Sequence, residues 1–160
     1  MKKIALGGLI GRGRFALIDD EDFDKLIRSK WHIHMGYAVK TTSRKLGKQM
    51  QESMHRVVMN CPSGMDIDHR DMNPLNNQKS NLRICTRSQN MMNKRVRPES
   101  NIGYKGVSRN WNKYHARIQK DGKRIDLGSS FDPKECAKLY DAKAKELFGS
   151  FARLNFPEAR

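Results

Sequence analysis

Asp68 and His69 stand side by side, and Asn90 follows after a polar loop, a short apolar run and the start of a helix. These residue types suit hydrolysis assisted by one divalent metal. Mg²⁺ prefers hard oxygen ligands and keeps several waters, so a carboxylate from Asp68 and an amide oxygen from Asn90 are a sufficient protein share. Water and phosphate oxygens take the remaining positions, where the ion neutralises phosphate charge and steadies a leaving oxygen. His69, with an unperturbed pKa near neutrality, is the natural base for the attacking water. Taken singly, an Asp-His pair is more often a surface pair, and Asn is common in turns. Together, at this spacing and ahead of a capped helix, they favour a site.

Those residues need elements to hold them. Met65 to Asn93 predicts strand, loop, strand at Leu82–Cys85, then a helix from Arg87 to about Arg95, opened by the Thr86-x-x-Gln89 capping box. Upstream, Phe15–Ile18 predicts a strand, and the acids Asp19–Asp22 read as helix caps, not ligands. Phe23, Leu26, Ile27 and Lys30 or Trp31 fall on one helical face, expected to pack inward. Trp31–Lys40 reads as one alternating strand. His32 and His34 share a face of it, and with no third ligand spaced to them, a polar face is favoured over a metal site. Thr41–Lys48, with Gly47, predicts a turn; 49–59 reads as strand or helix, and Cys61–Gly64 as a turn. The Pro-broken, polar stretch Arg95–Asn101 reads as a linker.

Composition narrows the function classes. In 160 residues, 37% are hydrophobic and 31% charged, so no single large core is expected. Lys and Arg number 32 against 17 acids, a net charge of +15, with a pI near 10.0. Such a balance fits a polyanion partner, usually nucleic acid. The excess is densest over residues 36–98, where twelve basic residues meet four acidic ones. Three cysteines, Cys61, Cys85 and Cys136, with no C-x-x-C pair, argue against a structural zinc and suit a reducing cytoplasm. The apolar run after Met1-Lys2-Lys3 is cut short by Arg12 and Arg14, so neither a signal peptide nor a membrane span is expected.

Asp68-His69, Asn81 in the Ser-Asn-Leu-Arg run, and Asn90 resemble the ββα-metal site of HNH nucleases. The likeness is to the phage and intron homing-endonuclease branch, in which Asn replaces the last motif residue. The run Asp71-Met72-Asn73-Pro74-Leu75-Asn76-Asn77 is similar to the family's D-G-N-P-L-N-N loop, with Met72 where Gly is usual. The resemblance implies that Asp68 and Asn90 are metal ligands, that His69 is the general base, and that Asn81 ties the loop and helps orient the histidine. It also implies a phosphate contact or supporting role for the pair His55-Arg56, and Arg83 is a further expected DNA contact.

After the linker, Tyr104–Ser108, Trp111–Ile118 and Lys123–Gly128 read as three strands, the last turn holding the hairpin signal Asp121-Gly122. Asp132 with Pro133 and Glu135 starts a helix; Cys136, Tyr140, Ala144 and Leu147-Phe148 form its inner stripe, and Gly149 stops it. Tyr-Lys-Gly-Val, Leu127-Gly128 with Phe131, the Ala137–Ala142 helix segment and Leu154-Asn155-Phe156-Pro157 resemble the ethylene-response-factor type DNA-binding domain. In that family the sheet lies in the major groove. By position, Lys105, Arg109, Trp111, Lys113, Arg117, Gln119 and Arg124 are the expected DNA contacts, while Ala116 and Ile118 face the helix. Asp126 stands where an aromatic is often found, so base preference is not carried over.

The expectation is an α+β chain with an N-terminal β/α positioning segment (1–59), a ββα-metal module (60–97), and a linker plus three-stranded antiparallel sheet packed on one helix (98–160). It would act as a site-directed, homing-type endonuclease on double-stranded DNA, using Mg²⁺ or alternatively Mn²⁺. No membrane or small-molecule substrate is expected, and the place of action is the cytoplasm of a bacterial or phage-infected host. Two other classes are a DNA-binding regulator with a dead site and a basic RNA-binding protein. The joint retention of Asp68, His69 and Asn90 argues against the first, and a sheet without an aromatic RNA platform against the second.

Overall fold

A computed structural model describes residues 1–45, 48–94 and 102–157 and gives an α+β protein of two compact units, Met1–Arg87 and Ser88–Arg160. In the first unit, β1 (Lys2–Ala5) pairs antiparallel with β2 (Phe15–Ile18). A 3-10 turn over Asp20–Asp22 leads into α1 (Phe23–Leu26). A three-stranded antiparallel sheet follows, β3 (His32–His34), β4 (Tyr37–Lys45) and β5 (Lys48–Ser53), in that spatial order. Next come α2 (Met54–Met59), the antiparallel pair β6 (Asp66–His69) and β7 (Leu82–Cys85), and α3 (Arg87–Met92), which starts at the unit boundary.

One apolar cluster joins these pieces. It takes Ile4 and Ile18 from the first hairpin, Leu26 and Trp31 from around α1, Met54 from α2, and Ile67 and Leu82 from the β6–β7 pair. Residues on both sides of position 59 therefore share a core, because none of the two- and three-stranded sheets has enough apolar face to be stable alone. Ile27, expected to face inward, is exposed instead, and Trp31 fills the place, donating Nε1 to Leu26 O at 2.8 Å.

Trp31–Lys40 is not one strand. It is a hairpin turning at Met35-Gly36, both with positive φ (49° and 88°), since glycine supplies a left-handed residue where an alternating pattern shows none. The segment 49–59 is strand to Ser53 and helix from Met54. The stretch Thr41–Lys48, expected as a turn, is strand up to Lys45 and again from Lys48, and only its positions 46 and 47 lie outside the described residues, as does the linker expected at Arg95–Asn101.

The acids at 19–22 are not caps, for neither Asp19 nor Asp22 makes a side-chain cap bond. The Asp19 carboxylate instead accepts Lys79 N at 2.7 Å and Gln78 Nε2 at 3.1 Å, while Lys79 Nζ pairs with Glu21 and Asp22. A contact sixty residues away outcompeted the local one.

In the second unit, β8 (Val107–Asn110), β9 (Lys113–Lys120) and β10 (Lys123–Ser130) form a sheet in the order β10-β9-β8, packed on α4 (Pro133–Phe148). Asp132 caps α4 by accepting Lys134 N at 2.8 Å, and Ala116, Ile118, Cys136, Tyr140 and Ala144 are buried between sheet and helix. Among the described residues no helix is long and apolar enough to cross a membrane.

Gly106 has φ +75°, and a Cβ there would lie 1.9 Å from Tyr140 Cδ2 and 2.8 Å from Arg117 O. Gly106→Ala should therefore destabilise the second unit by on the order of 2–4 kcal/mol, seen as an early loss of α4 helicity on heating. An unchanged melting curve would contradict this packing.

Candidate active site

Strand β6 delivers Asp68 and His69 on adjacent rungs, opposite Arg83 and Leu82 of β7. Both are buried, Asp68 to 4% exposure and His69 to 6%. A carboxylate out of water needs a partner, and Arg83 supplies it across the strands. Nε donates to Asp68 Oδ2 at 2.7 Å, and Nη2 approaches the same oxygen at 2.5 Å. Arg83, expected on the DNA surface, is thus buried, with its charge set against Asp68.

The loop after His69 is held by its own side chains. Asn81 accepts Asp71 N at 3.0 Å and donates through Nδ2 to Asp71 Oδ1 and Asn76 O, both at 2.9 Å. Asn81 O accepts Arg70 N at 2.9 Å. Burial alone would raise the Asp71 pKa, but bonds from Asn73, Asn76 and Asn81 outweigh it and hold the carboxyl below its ordinary value. Met72 adopts φ +59°, so the turn has a left-handed residue at this place. From outside, Leu17 of β2 donates its N–H to Leu75 O and accepts Asn77 N, each at 2.8 Å. This fixes the fully buried Asn77, whose Nδ2 donates to Leu75 O at 3.1 Å and whose side chain turns toward the His69 ring.

Three rings meet at the base. His55 lies edge-on to His69 with centroids 5.2 Å apart, and Tyr37 lies 5.2 Å from His55 and 5.9 Å from His69. Burial lowers the His69 pKa, opposed by Asp71, Asp68 and Asn77, which favours the neutral ring. Burial first, then the charges of His69 and Arg56, pushes His55 down to about 4; its Nδ1 is buried with no hydrogen-bond partner. Arg56 turns inward and donates to Met65 O at 2.9 Å and Pro62 O at 3.0 Å, fastening the 61–65 turn instead of reaching out to phosphate. Tyr37 and Asn77 were missed in the sequence. Tyr37 was hidden in a supposed single strand, although Met35-Gly36 was the available turn signal, and Asn77 stood unassigned inside the loop motif.

Asn90 is carried on α3, at the start of the second unit. The Asp68 carboxylate and the Asn90 amide oxygen are each hard donors of the kind a divalent ion takes. Among the described residues no group of three His, Cys, Asp or Glu side chains converges as a metal site.

The second unit displays its cations on the sheet. Trp111 is 91% exposed at the β8–β9 turn, flanked by the exposed Arg109 and Lys113. Arg117 pairs loosely with Asp126 at 3.4 Å, and Gln119 and Arg124 are exposed. Lys105 differs: it is half-buried, burial lowers its pKa to about 8, and its Nζ donates to Met92 O.

A family model described as HNH endonuclease matches residues 54–92. An uncharacterized HNH endonuclease of Acanthamoeba polyphaga mimivirus is 33% identical over 150 residues, spanning 91% of this chain and 76% of that protein. Protein 3.8 of Escherichia phage T7 is 33% identical over 96 residues, 58% of this chain and 77% of its own length. An ethylene-responsive transcription factor of Arabidopsis thaliana is 44% identical over 68 residues, 41% of this chain but 34% of the factor.

The depressed histidines make stability depend on pH. The unfolded chain protonates His55 near 6.5, whereas the folded protein resists until about 4. The stability from keeping it neutral is complete above pH 6.5 and is lost as pH falls toward 4, on the order of 1–3 kcal/mol. Urea unfolding at pH 7 and pH 4.5 checks this; His55→Phe should flatten the acid slope, and an equal slope in both proteins would refute it.

Proposed function

This chain belongs to the HNH endonucleases and is a nuclease, and from that premise we propose that it is a metal-dependent endonuclease of double-stranded DNA, of the site-directed homing type. The observation that carries the proposal is the buried pair at the end of β6: a neutral histidine beside an acid, behind a loop closed by Asn81. His69 takes the proton of the attacking water, for a ring held neutral by burial accepts a proton at physiological pH. Asn81 keeps the loop shut so that the ring does not swing away, and Tyr37 and His55 wall it against bulk water. Asp68 and Asn90 would hold the divalent ion, Mg²⁺ with Mn²⁺ as substitute. When bound, the ion supplies positive charge beside the phosphate and stabilises the departing oxygen.

The second unit is the DNA reader, in the manner of ethylene-response-factor domains, with Arg109, Trp111, Lys113, Arg117, Gln119 and Arg124 as contacts. The partial identity to a plant factor of that name and the outward cations of its sheet support this reading. Arg83, Arg56 and Lys105 are assigned to support instead, since their charges are directed inward. The proposed place of action is the cytoplasm of a bacterial or phage-infected cell, in keeping with a phage relative.

Supercoiled plasmid should be nicked or linearised with Mg²⁺ and left intact in EDTA. His69→Ala should slow cleavage on the order of 10²–10⁴-fold with DNA affinity nearly unchanged. Loss of rate and affinity in equal proportion would mark His69 as a contact, not a base. Asp68→Asn should raise the Mg²⁺ needed for half-maximal cutting; a normal metal titration would remove its ligand role. Arg124→Ala with Trp111→Ala should weaken binding and flatten its salt dependence by about 0.9 in slope for each phosphate no longer neutralised. A salt series showing the same slope for both proteins would show that the sheet does not read DNA.

A further inference from the structure

The hairpin between β3 and β4 ends in an apolar residue held in a poor backbone conformation. Met35 has φ +49° and is 85% exposed. A two-residue turn with two left-handed positions favours Asn-Gly, because Asn compensates locally and Met does not. An unbranched apolar side chain gains nothing from water either, so neither turn chemistry nor solvation accounts for methionine here. Unfavourable backbone held by its surroundings clusters at functional sites.

The position of the tip supplies a use. A methyl group built on Gly36 would lie 3.8 Å from Pro74 Cγ, so the turn borders the loop that Asn81 closes. Tyr37, two residues beyond Met35, places its ring 5.9 Å from that of His69. Met35 therefore projects at the rim of the site whose base and acid are buried to 6% and 4%. A duplex is stiff, and a phosphate on a straight one stays on the outside of the rod. To reach groups buried this deeply, the backbone must be bent or its base stack opened. The surroundings favour DNA as the partner: no acidic residue occurs between Asp24 and Glu52, a span that carries seven lysines and arginines.

We propose that Met35 is an apolar wedge that enters the DNA base stack beside the bond being cut and opens the duplex, so that the phosphate sinks toward His69. Methionine belongs to the side chains that act this way, and unstacking one step costs a few kcal/mol, regained through the contacts the distortion permits. The inference rests on the reading of this site as a DNA nuclease. It adds a positioning residue to that reading, one that touches bases and not the reacting atoms.

The test uses Met35→Asn, which removes the wedge while giving the turn its preferred residue, so the variant should melt no earlier than the native protein. In EDTA, native protein should brighten 2-aminopurine placed beside the mapped nick in a duplex carrying the sequence it cuts, reporting unstacking. Met35→Asn should bind the duplex without the rise, and Met35→Leu should keep it. With Mg²⁺, Met35→Asn should nick a relaxed, fully paired plasmid on the order of 10–100-fold more slowly than the native protein. It should recover most of the difference on the same plasmid interrupted by single unpaired bases, which are already unstacked. Equal nicking of the paired plasmid by both proteins would overturn the wedge alone, and so would equal slowing on both plasmids. A native protein that nicks neither plasmid would overturn the nuclease reading on DNA itself.

Discussion

The buried ion pair between Asp68 and Arg83 is the interaction on which the rest of the first unit depends. Withdrawing a carboxylate and a guanidinium from water costs several kcal/mol per ion, and only close partners and further hydrogen bonds offset it. β-Pairing meets that demand directly: residues 68 and 83 are cross-strand neighbours, so the geometry follows from the register. A slip of one residue would send both charges to the opposite face, into the apolar cluster around Ile67 and Leu82. The alternation of Ile67 and Asp68 and of Leu82 and Arg83 thus sets the core and the polar centre together.

A second constraint is that the loop carrying the site has almost no apolar content and must still be rigid. Asn73, Asn76 and Asn81 supply the rigidity by converging on one carboxylate, Asp71. Asn73 reaches it through its backbone N–H, and Asn76 and Asn81 through carboxamides, which suit this role because each both donates and accepts, whereas extra charges would repel one another or a phosphate. The N-terminal hairpin finishes the work from outside through the backbone of Leu17 and the carboxylate of Asp19. Part of the site's rigidity is therefore stored some sixty residues upstream of it, in a segment with no chemistry of its own.

The same economy governs charge. Positive residues near the polar centre turn inward, Arg83 to Asp68 and Arg56 to the carbonyls of the 61–65 turn, so they organise protein and not phosphate. In the second unit the opposite holds: α4 takes the apolar face of the sheet, which leaves Arg109, Lys113 and Arg124 to solvent. A basic residue's role follows from whether an acceptor is buried within its reach, a property of the fold and not of its sequence neighbours.

That distinction separates what the chain declares from what it conceals. The local signals were legible: the strand at Phe15–Ile18, the second unit's strands and turns, the Asp132 cap and the α+β class all rest on periodicity, capping and turn chemistry within a few residues. Even so, Met35-Gly36 was overlooked, since an alternating pattern continues across a tight turn. Tertiary structure alone decided the rest. It drew Asp19 away from its helix to Lys79, turned Arg56, Arg83 and Lys105 inward, and set Tyr37 and His55 against His69. Each of those outcomes is a competition between a nearby partner or water and a distant one, and only the fold determines which partner comes within hydrogen-bond reach.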